Sequence, residues 1–206
     1  MRDTKFHPMG NELKRCWHTS EPLYTKYHDE EWGVPLHDDQ EFFEFLILES
    51  FQAGLSWWLI LQRRENLREA FDGFNPKKMT SYTAEDVERL MNASGMIRNR
   101  AKIRSAINNA CCFLKIQQEF GSFDNFVWKF VGGRPSNNAF AESTMVPSGT
   151  TESRTMSREL KKMNFQFMGP TICYAFMQAT GLVNDHLIGC FRHNEIRELQ
   201  RDLIEG

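Results

Sequence analysis

Residues 45–58 read FLILESFQAGLSWW, and their pattern decides the fold. With Phe42 and Phe43 ahead of it, the run is apolar on nearly every face, the mark of a helix buried on all sides. Ala53-Gly54 breaks it, and Ser56 stands where a second helix, SWWLILQRRENLREAF, needs its cap. One residue does not suit the first helix. Glu49 recurs with Phe42, Phe45 or Leu46, and Ala53 at three- and four-residue steps, so a carboxylate lies on an apolar stripe. Carboxylates are seldom buried without a partner.

Outward from this stretch the helical pattern repeats. Ser20-Glu21-Pro22 has the form of a helix start, with Ser20 as cap and Pro22 in the first turn. It opens LYTKYHDEEW, which stops at Gly33, and Asp38 or Asp39 then caps the helix carrying Glu49. The second helix stops at Gly73, before Pro76. Thr83 and Asp86 form a capping-box pattern for AEDVERLMNA, Gly95 closes that helix, and Asn99 or Arg100 opens a long one to about Phe120. Ser122 caps FDNFVWKFV, which ends in Gly132-Gly133. Residues 133–152 read as a loop, followed by the helices ESRTMSRELKKM and GPTICYAFMQAT, the latter closed by Gly181. No alternating run is long enough for a strand. The expected class is all-α, with residues 1–14 a flexible leader, 15–195 one helical domain of two lobes, and 196–206 a C-terminal tail.

Apolar content of 41% and charged content of 25% are ordinary for a globular chain. No apolar run approaches the roughly 18–20 residues that span a membrane. The opening MRDTKFHPMGNELKR is polar and unlike a signal peptide, and five cysteines without dense disulfide spacing suit a reducing cytoplasm. A net charge of −2 gives no global attraction to nucleic acid, so a DNA-binding surface would need locally gathered basic residues.

Three constellations carry chemistry. The first is Glu49 with its aromatics: Tyr24 and Tyr27 share a helix face, Trp17 precedes them, and Trp57 and Trp58 follow the break. A carboxylate among such rings is a receptor for a flat cation. On the residues alone, a buried Glu satisfied by a Tyr hydroxyl or a backbone amide carries more weight. The second is His186 and Cys190 in NDHLIGC, four apart on a helical turn, a spacing common in metal sites. Cys16 and His28 are candidates to complete a set, although five Cys and six His make chance pairs expected. Cys111, Cys112 and Cys173 sit in apolar helical patterns and read as core. The third is SGMIRNRAKIRS, residues 94–105, where a glycine turn feeds a basic helix start. Backbone amides there can hold a phosphate, and an ordinary turn with solvated basic residues is an equal reading.

Together these stretches resemble one family, the Tag-type DNA-3-methyladenine glycosylases. The resemblance rests on EPLYTKYHDEEWGVP (21–35), LESFQAGLSW (48–57), RRENLREAF (63–71), EDVERLM with GMIRNRAKI (85–103), FVWKF (126–130) and TICYAFMQATGLVNDH (171–186). It implies a helix-hairpin-helix fold holding a flipped-out base in a pocket. It implies that Glu49 hydrogen-bonds the damaged adenine as the catalytic carboxylate, with Trp17, Tyr24, Tyr27 and Trp57 around it. A structural zinc on Cys16, His28, His186 and Cys190 would clasp the two ends of the chain. The turn with Gly95, Met96, Arg98, Arg100 and Lys102 would grip double-stranded DNA, and Gly54-Leu55, at the exposed break beside Glu49, would meet it too, with Leu55 a candidate wedge for the vacated stack. Two positions depart from the family pattern: Cys16 and Trp17 are adjacent where a residue usually intervenes, and Ala101 replaces a frequent glycine.

The implied activity is hydrolysis of the N-glycosidic bond of 3-methyladenine in alkylated DNA, without strand cleavage, by a cytoplasmic monomer. Related hairpin enzymes carry a catalytic Asp after the hairpin helix; the nearest candidate here, Asp124, has a plain helix-start explanation. Two other readings compete. One is a non-catalytic lesion-sensing module, which would not need the whole aromatic cage. The other is a zinc hydrolase, which four protein ligands would close off.

Overall fold

The computed structural model describes residues 13–205, with side chains through 201. Most of the expected leader, residues 1–14, therefore lies outside the described residues. Helices start where the chain supplies an oxygen for the free amides of a first turn. In α1 (Pro22–Glu30) that oxygen is missing: Glu21 is the N-cap and no side chain caps it, so Ser20 does not play the expected part. The Thr19 hydroxyl accepts from the Glu21 amide at 3.1 Å instead, and Pro22 removes one amide that would need a partner.

Asp38 caps α2 (Asp39–Gln52), accepting from Glu41 N at 2.9 Å. Asp39 is freed for another task. Its carboxylate accepts from the amides of Phe123 and Asp124, both at 2.9 Å, at the start of α7 (Phe123–Trp128). Ser56 caps α3 (Trp57–Ala70), Asn75 caps the single turn α4 (Pro76–Met79), and the full Thr83–Asp86 box opens α5 (Ala84–Asn92). Asn99 caps α6 (Arg100–Phe120), and Thr150 caps α8 (Thr151–Lys162).

At the centre lies α2, with Phe42 through Phe51 all buried. It packs on α3, α6, α7 and α9 (Pro170–Ala179). Rings of Phe42, Phe113, Phe123 and Phe176 fill the junction, Phe113 and Phe123 lying 4.4 Å apart. Each such ring contributes about 2–3 kcal/mol by leaving water. Cys112 and Cys173 are buried in this core as expected, while Cys111 is half-buried.

Gly181 closes α9 at φ +70°, and a Cβ there would lie 2.4 Å from the backbone of Val34 and Pro35. Only glycine lets the α1–α2 connection cross so closely. The loop after α7 is tied down rather than loose. Its Ser136–Asn137 (β1) pairs in parallel with Val183–Asn184 (β2), two residues each, too short to leave an alternating pattern. Finally α10 (Phe191–Glu205) runs straight through the boundary expected at 195/196, with Ile196 and Gln200 buried. Residues 196–201 of the expected tail are thus helical, with two side chains packed inside. Among the described residues, no helix is long and apolar enough to cross a membrane.

Candidate active site and metal centre

Two glutamates are buried on α2, and they have opposite surroundings. Glu44 receives Arg64 at 2.6 Å and Arg68 at 2.5 Å, both from α3. Glu49 is 2% exposed, and its Oε2 meets no donor. Burial alone pushes its carboxyl well above the usual range. The partner suggested on the residues alone, a Tyr hydroxyl or a backbone amide, is absent from Oε2.

Glu49 opens onto a cleft of about 150 Å³ lined by Trp17, Tyr24, Tyr27 and Trp57, all four of the aromatics expected there. Tyr24 lies 5.3 Å from Trp17, and Tyr27 lies 5.3 Å from Trp57. The indole nitrogens of Trp17 and Trp57 are buried without acceptors. Tyr27 is held far above its usual pKa, by burial first and then by Glu49. The cleft is therefore a slot of π-faces with one unpaired carboxyl.

Beside it, Cys16, His28, His186 and Cys190 converge, with all four ligand atoms within 4.8 Å of one another. Cys16 Sγ lies 3.3 Å from His186 Nδ1, Cys190 Sγ lies 3.5 Å from His28 Nε2, and Cys190 Sγ lies 3.6 Å from His186 Nδ1. Zinc bonds to sulfur and nitrogen at a tetrahedral angle put such atoms about 3.5 Å apart, so this donor set fits zinc. The outer partners fit as well. His28 Nδ1 faces Asp29 at 2.8 Å, itself held by Arg15, and His186 Nε2 faces the Trp32 carbonyl at 2.9 Å. The two thiols act as a pair: the contact between them holds Cys190 down and pushes Cys16 up, so a proton stays on Cys16 until a metal displaces it.

His186 and Cys190 do not share the helical turn expected of them. They sit in a turn between β2 and α10, closed by Cys190 N donating to the Leu187 carbonyl at 2.7 Å. Although Cys16 and Trp17 are adjacent, Cys16 reaches the ligand cluster while Trp17 lines the cleft, its ring 4.6 Å from His28.

The turn between α5 and α6 corrects two expectations. Gly95 has φ +70°, and a Cβ on it would fall 2.4 Å from Asn66 of α3, so this position needs glycine. The Met96 side chain turns into the core. Lys102 is 4% exposed, and its ammonium donates to the carbonyls of Phe51 at 2.7 Å and Ala53 at 2.6 Å. It caps α2 and offers nothing to a phosphate. Arg98 is exposed, and Arg100 faces outward against Glu88. Gly54 and Leu55 form the exposed shoulder beside Glu49, with Leu55 37% exposed. Asp124 is taken up by His37 at 2.9 Å.

A family model for methyladenine glycosylases matches residues 17–193. The chain belongs to the methyladenine glycosylase family. It is 47% identical over 179 residues to the DNA-3-methyladenine glycosylase 1 of Escherichia coli (strain K12), covering 86% of this chain and 96% of that one. A crystal structure of 3-methyladenine DNA glycosylase I superposes with a TM-score of 0.84 at 48% identity, covering 86% of this chain and 98% of that one. A variant of 3-methyladenine DNA glycosylase I crystallised in complex with 3-methyladenine matches at TM-score 0.82 and 38% identity, over 84% and 93% of the two chains.

The methyladenine glycosylase cleft also contains residues that the sequence did not single out. Trp32, Gln52, Ala175 and Gln178 line it too. Gln52 Oε1 is buried without a donor. The spacing offered a signal for Gln52, three residues after Glu49 on one helix face. For Gln178, more than a hundred residues away, it offered none.

Proposed function

We propose that this protein is a DNA glycosylase that hydrolyses the N-glycosidic bond of 3-methyladenine, releasing the free base and leaving an abasic site. The observation that carries the reading is the buried, unpartnered Oε2 of Glu49 facing a slot of aromatic rings. Such a site is incomplete without a cation. N3-methylation gives adenine a delocalised positive charge, which cation–π contacts and a carboxylate both favour. A neutral adenine gives Glu49 no compensation for ionising, so the same burial that raises its pKa discriminates against the undamaged base.

The base is reached by flipping it from the duplex, and the lesion lowers the cost of unpairing. The α5–α6 turn reads as the hairpin of a helix-hairpin-helix, its Gly95 amides and exposed Arg98 meeting the backbone, with Arg100 released from Glu88 to join them. Leu55 fills the vacated stack. Cleavage sends the electron pair of the sugar–base bond onto the base, neutralising its charge. Water adds to the sugar carbon and gives its proton to solvent. Positive charge persists until that proton leaves, moving from purine towards sugar, and the buried Glu49 stabilises it. Among the described residues no lysine lines the cleft, which supports hydrolysis without a Schiff base and without strand cleavage.

Zinc bound by Cys16, His28, His186 and Cys190 would supply a structural clasp, since four protein ligands leave no position open for chemistry. Those residues hold the segment before α1 against the turn before α10, and so set Trp17 in the wall of the cleft. One chain and one alkylated duplex suffice for this mechanism.

The test is a digest of methylated duplex DNA with chromatography of the free bases, Glu49→Gln alongside. Release of 3-methyladenine, reduced at least a hundredfold in the folded variant, is expected for a charge-stabilising carboxylate. No release from folded, zinc-loaded wild type would make the protein a lesion-binding module instead.

A further inference from the structure

We infer that Gln178 reads the six-position of the flipped purine, and that Asp185 fixes the amide orientation that lets it do so. The inference rests on the glycosylase reading and deepens it, since it concerns which methylated base the same cleft accepts.

Asp185 is 2% exposed and gathers three donors. The Tyr174 hydroxyl donates to Oδ2 at 2.6 Å, Gln178 Nε2 donates to the same oxygen at 2.7 Å, and Asn138 Nδ2 donates to Oδ1 at 2.6 Å. A carboxylate only accepts, so the Gln178 amide must turn its NH₂ towards Asp185. Its carbonyl oxygen is then the group it presents elsewhere. The backbone is fixed too: the Gln178 main-chain carbonyl accepts from Gly33 N at 3.0 Å. Gln178 lines the cleft together with Glu49, and no donor from the described residues meets its Oε1.

An acceptor held in this orientation recognises a hydrogen-bond donor. Adenine carries an exocyclic NH₂ at its six-position, whereas guanine carries a carbonyl oxygen there. Facing Gln178 Oε1, the first makes a hydrogen bond, and the second sets two acceptors against each other. Gln52 Oε1, buried without a donor in the same cleft, adds to this acceptor-rich wall. Charge alone cannot separate 3-methyladenine from 3-methylguanine, because both are cationic. The fixed amide can. Asp185 acts as a positioning residue, never touching the base, and Gln178 as the specificity determinant.

Duplex DNA treated with a methylating agent carries both lesions, so one digest yields both bases. Their ratio does not depend on how much of a variant is folded. Gln178→Leu is expected to lower the ratio of 3-methyladenine to 3-methylguanine about tenfold, the scale of a lost polar discrimination in a partly open site. Asp185→Asn is expected to lower it as well, because an Asn NH₂ can face the glutamine carbonyl and let the glutamine NH₂ turn towards the base. Tyr174→Phe removes a donor from Asp185 without freeing Gln178, and should leave the ratio unchanged. An unchanged ratio in Gln178→Leu, or an equal shift in Tyr174→Phe, overturns the inference while a normal wild-type digest keeps the glycosylase reading intact. Release of neither base by folded wild type overturns both.

Discussion

The Lys102 ammonium, in the first turn of α6, donates to the Ala53 carbonyl at the end of α2 at 2.6 Å, and to the Phe51 carbonyl at 2.7 Å. A helix end leaves carbonyls unpaired and partially negative, and a buried cation answers both needs. The bond also joins two parts of the proposed machinery. On one side is the hairpin turn; on the other are Gly54, Leu55 and, one turn back, Glu49. Residues assigned to DNA and residues assigned to the base share one strut.

Replacing that strut should cost stability rather than DNA charge contacts. Lys102→Met leaves two carbonyls unsatisfied, a loss of about 2 kcal/mol. For a domain of this size that lowers Tm by about 4–8 °C. The slope of DNA affinity against salt should stay that of wild type, whereas Arg98→Ala should reduce it by about one phosphate's worth. A shallower slope in Lys102→Met would put the ammonium on the DNA after all.

Glu49 makes folding stability depend on pH in an unusual direction. Its folded pKa lies above the unfolded value, so the folded chain keeps a proton that the unfolded chain releases above about pH 4.3. Stability therefore falls as pH rises past that point, and levels off once the folded pKa is passed. Glu49→Gln has no such dependence. The two proteins should melt together near about pH 4, and the variant should become progressively the more stable as pH rises towards about pH 8. Thermal melts of both across this range decide it; a constant difference would mean that Glu49 is ionised and paired in the folded chain.

How much of this could be read from the chain alone follows the range of the interactions. Caps at Ser56, Thr83 and Ser122 are settled within three residues and stand where the sequence places them, and of the two candidates Asn99 and Arg100 it is Asn99 that caps α6. Glu49 was legible as an anomaly, a charge on an apolar stripe. Lys102 was misleading because its basic neighbours suggest a solvated face, while its burial depends on the end of α2, some fifty residues earlier in the chain. The polar run FRHNEIRELQ shows too weak an apolar stripe to announce α10, although Ile196 and Gln200 are buried there. Gln178 needs its contact with Asp185 to have any meaning, and no local pattern encodes that.

Leu55 offers the cleanest test of base flipping. It is 37% exposed and lies outside the core cluster, so Leu55→Ala should leave Tm within about 1 °C of wild type. Losing an apolar wedge should still weaken binding to lesion and abasic duplexes about tenfold, because the unstacked step is left unfilled. Affinity for free 3-methyladenine, which needs no flipping, should not change. Equal affinity of variant and wild type for both duplexes would remove Leu55 from the mechanism.

The metal prediction separates structure from chemistry. Elemental analysis should find one zinc per chain, and none in Cys190→Ser. Because zinc binding to such a site is coupled to folding, removal by a chelator should lower Tm by about 10 °C or more. The fraction that remains folded should still release 3-methyladenine at near the wild-type rate, since the glutamate and the aromatic slot are not ligands. Asp29→Asn probes the outer contact: losing the carboxylate that faces His28 should weaken zinc about 10–100-fold while leaving the four ligands in place. Parallel loss of rate and metal in the still-folded fraction would give the ion a part in the reaction. A zinc-free protein with an unchanged Tm would instead leave Cys16, His28, His186 and Cys190 as a hydrogen-bonded cluster that needs no ion.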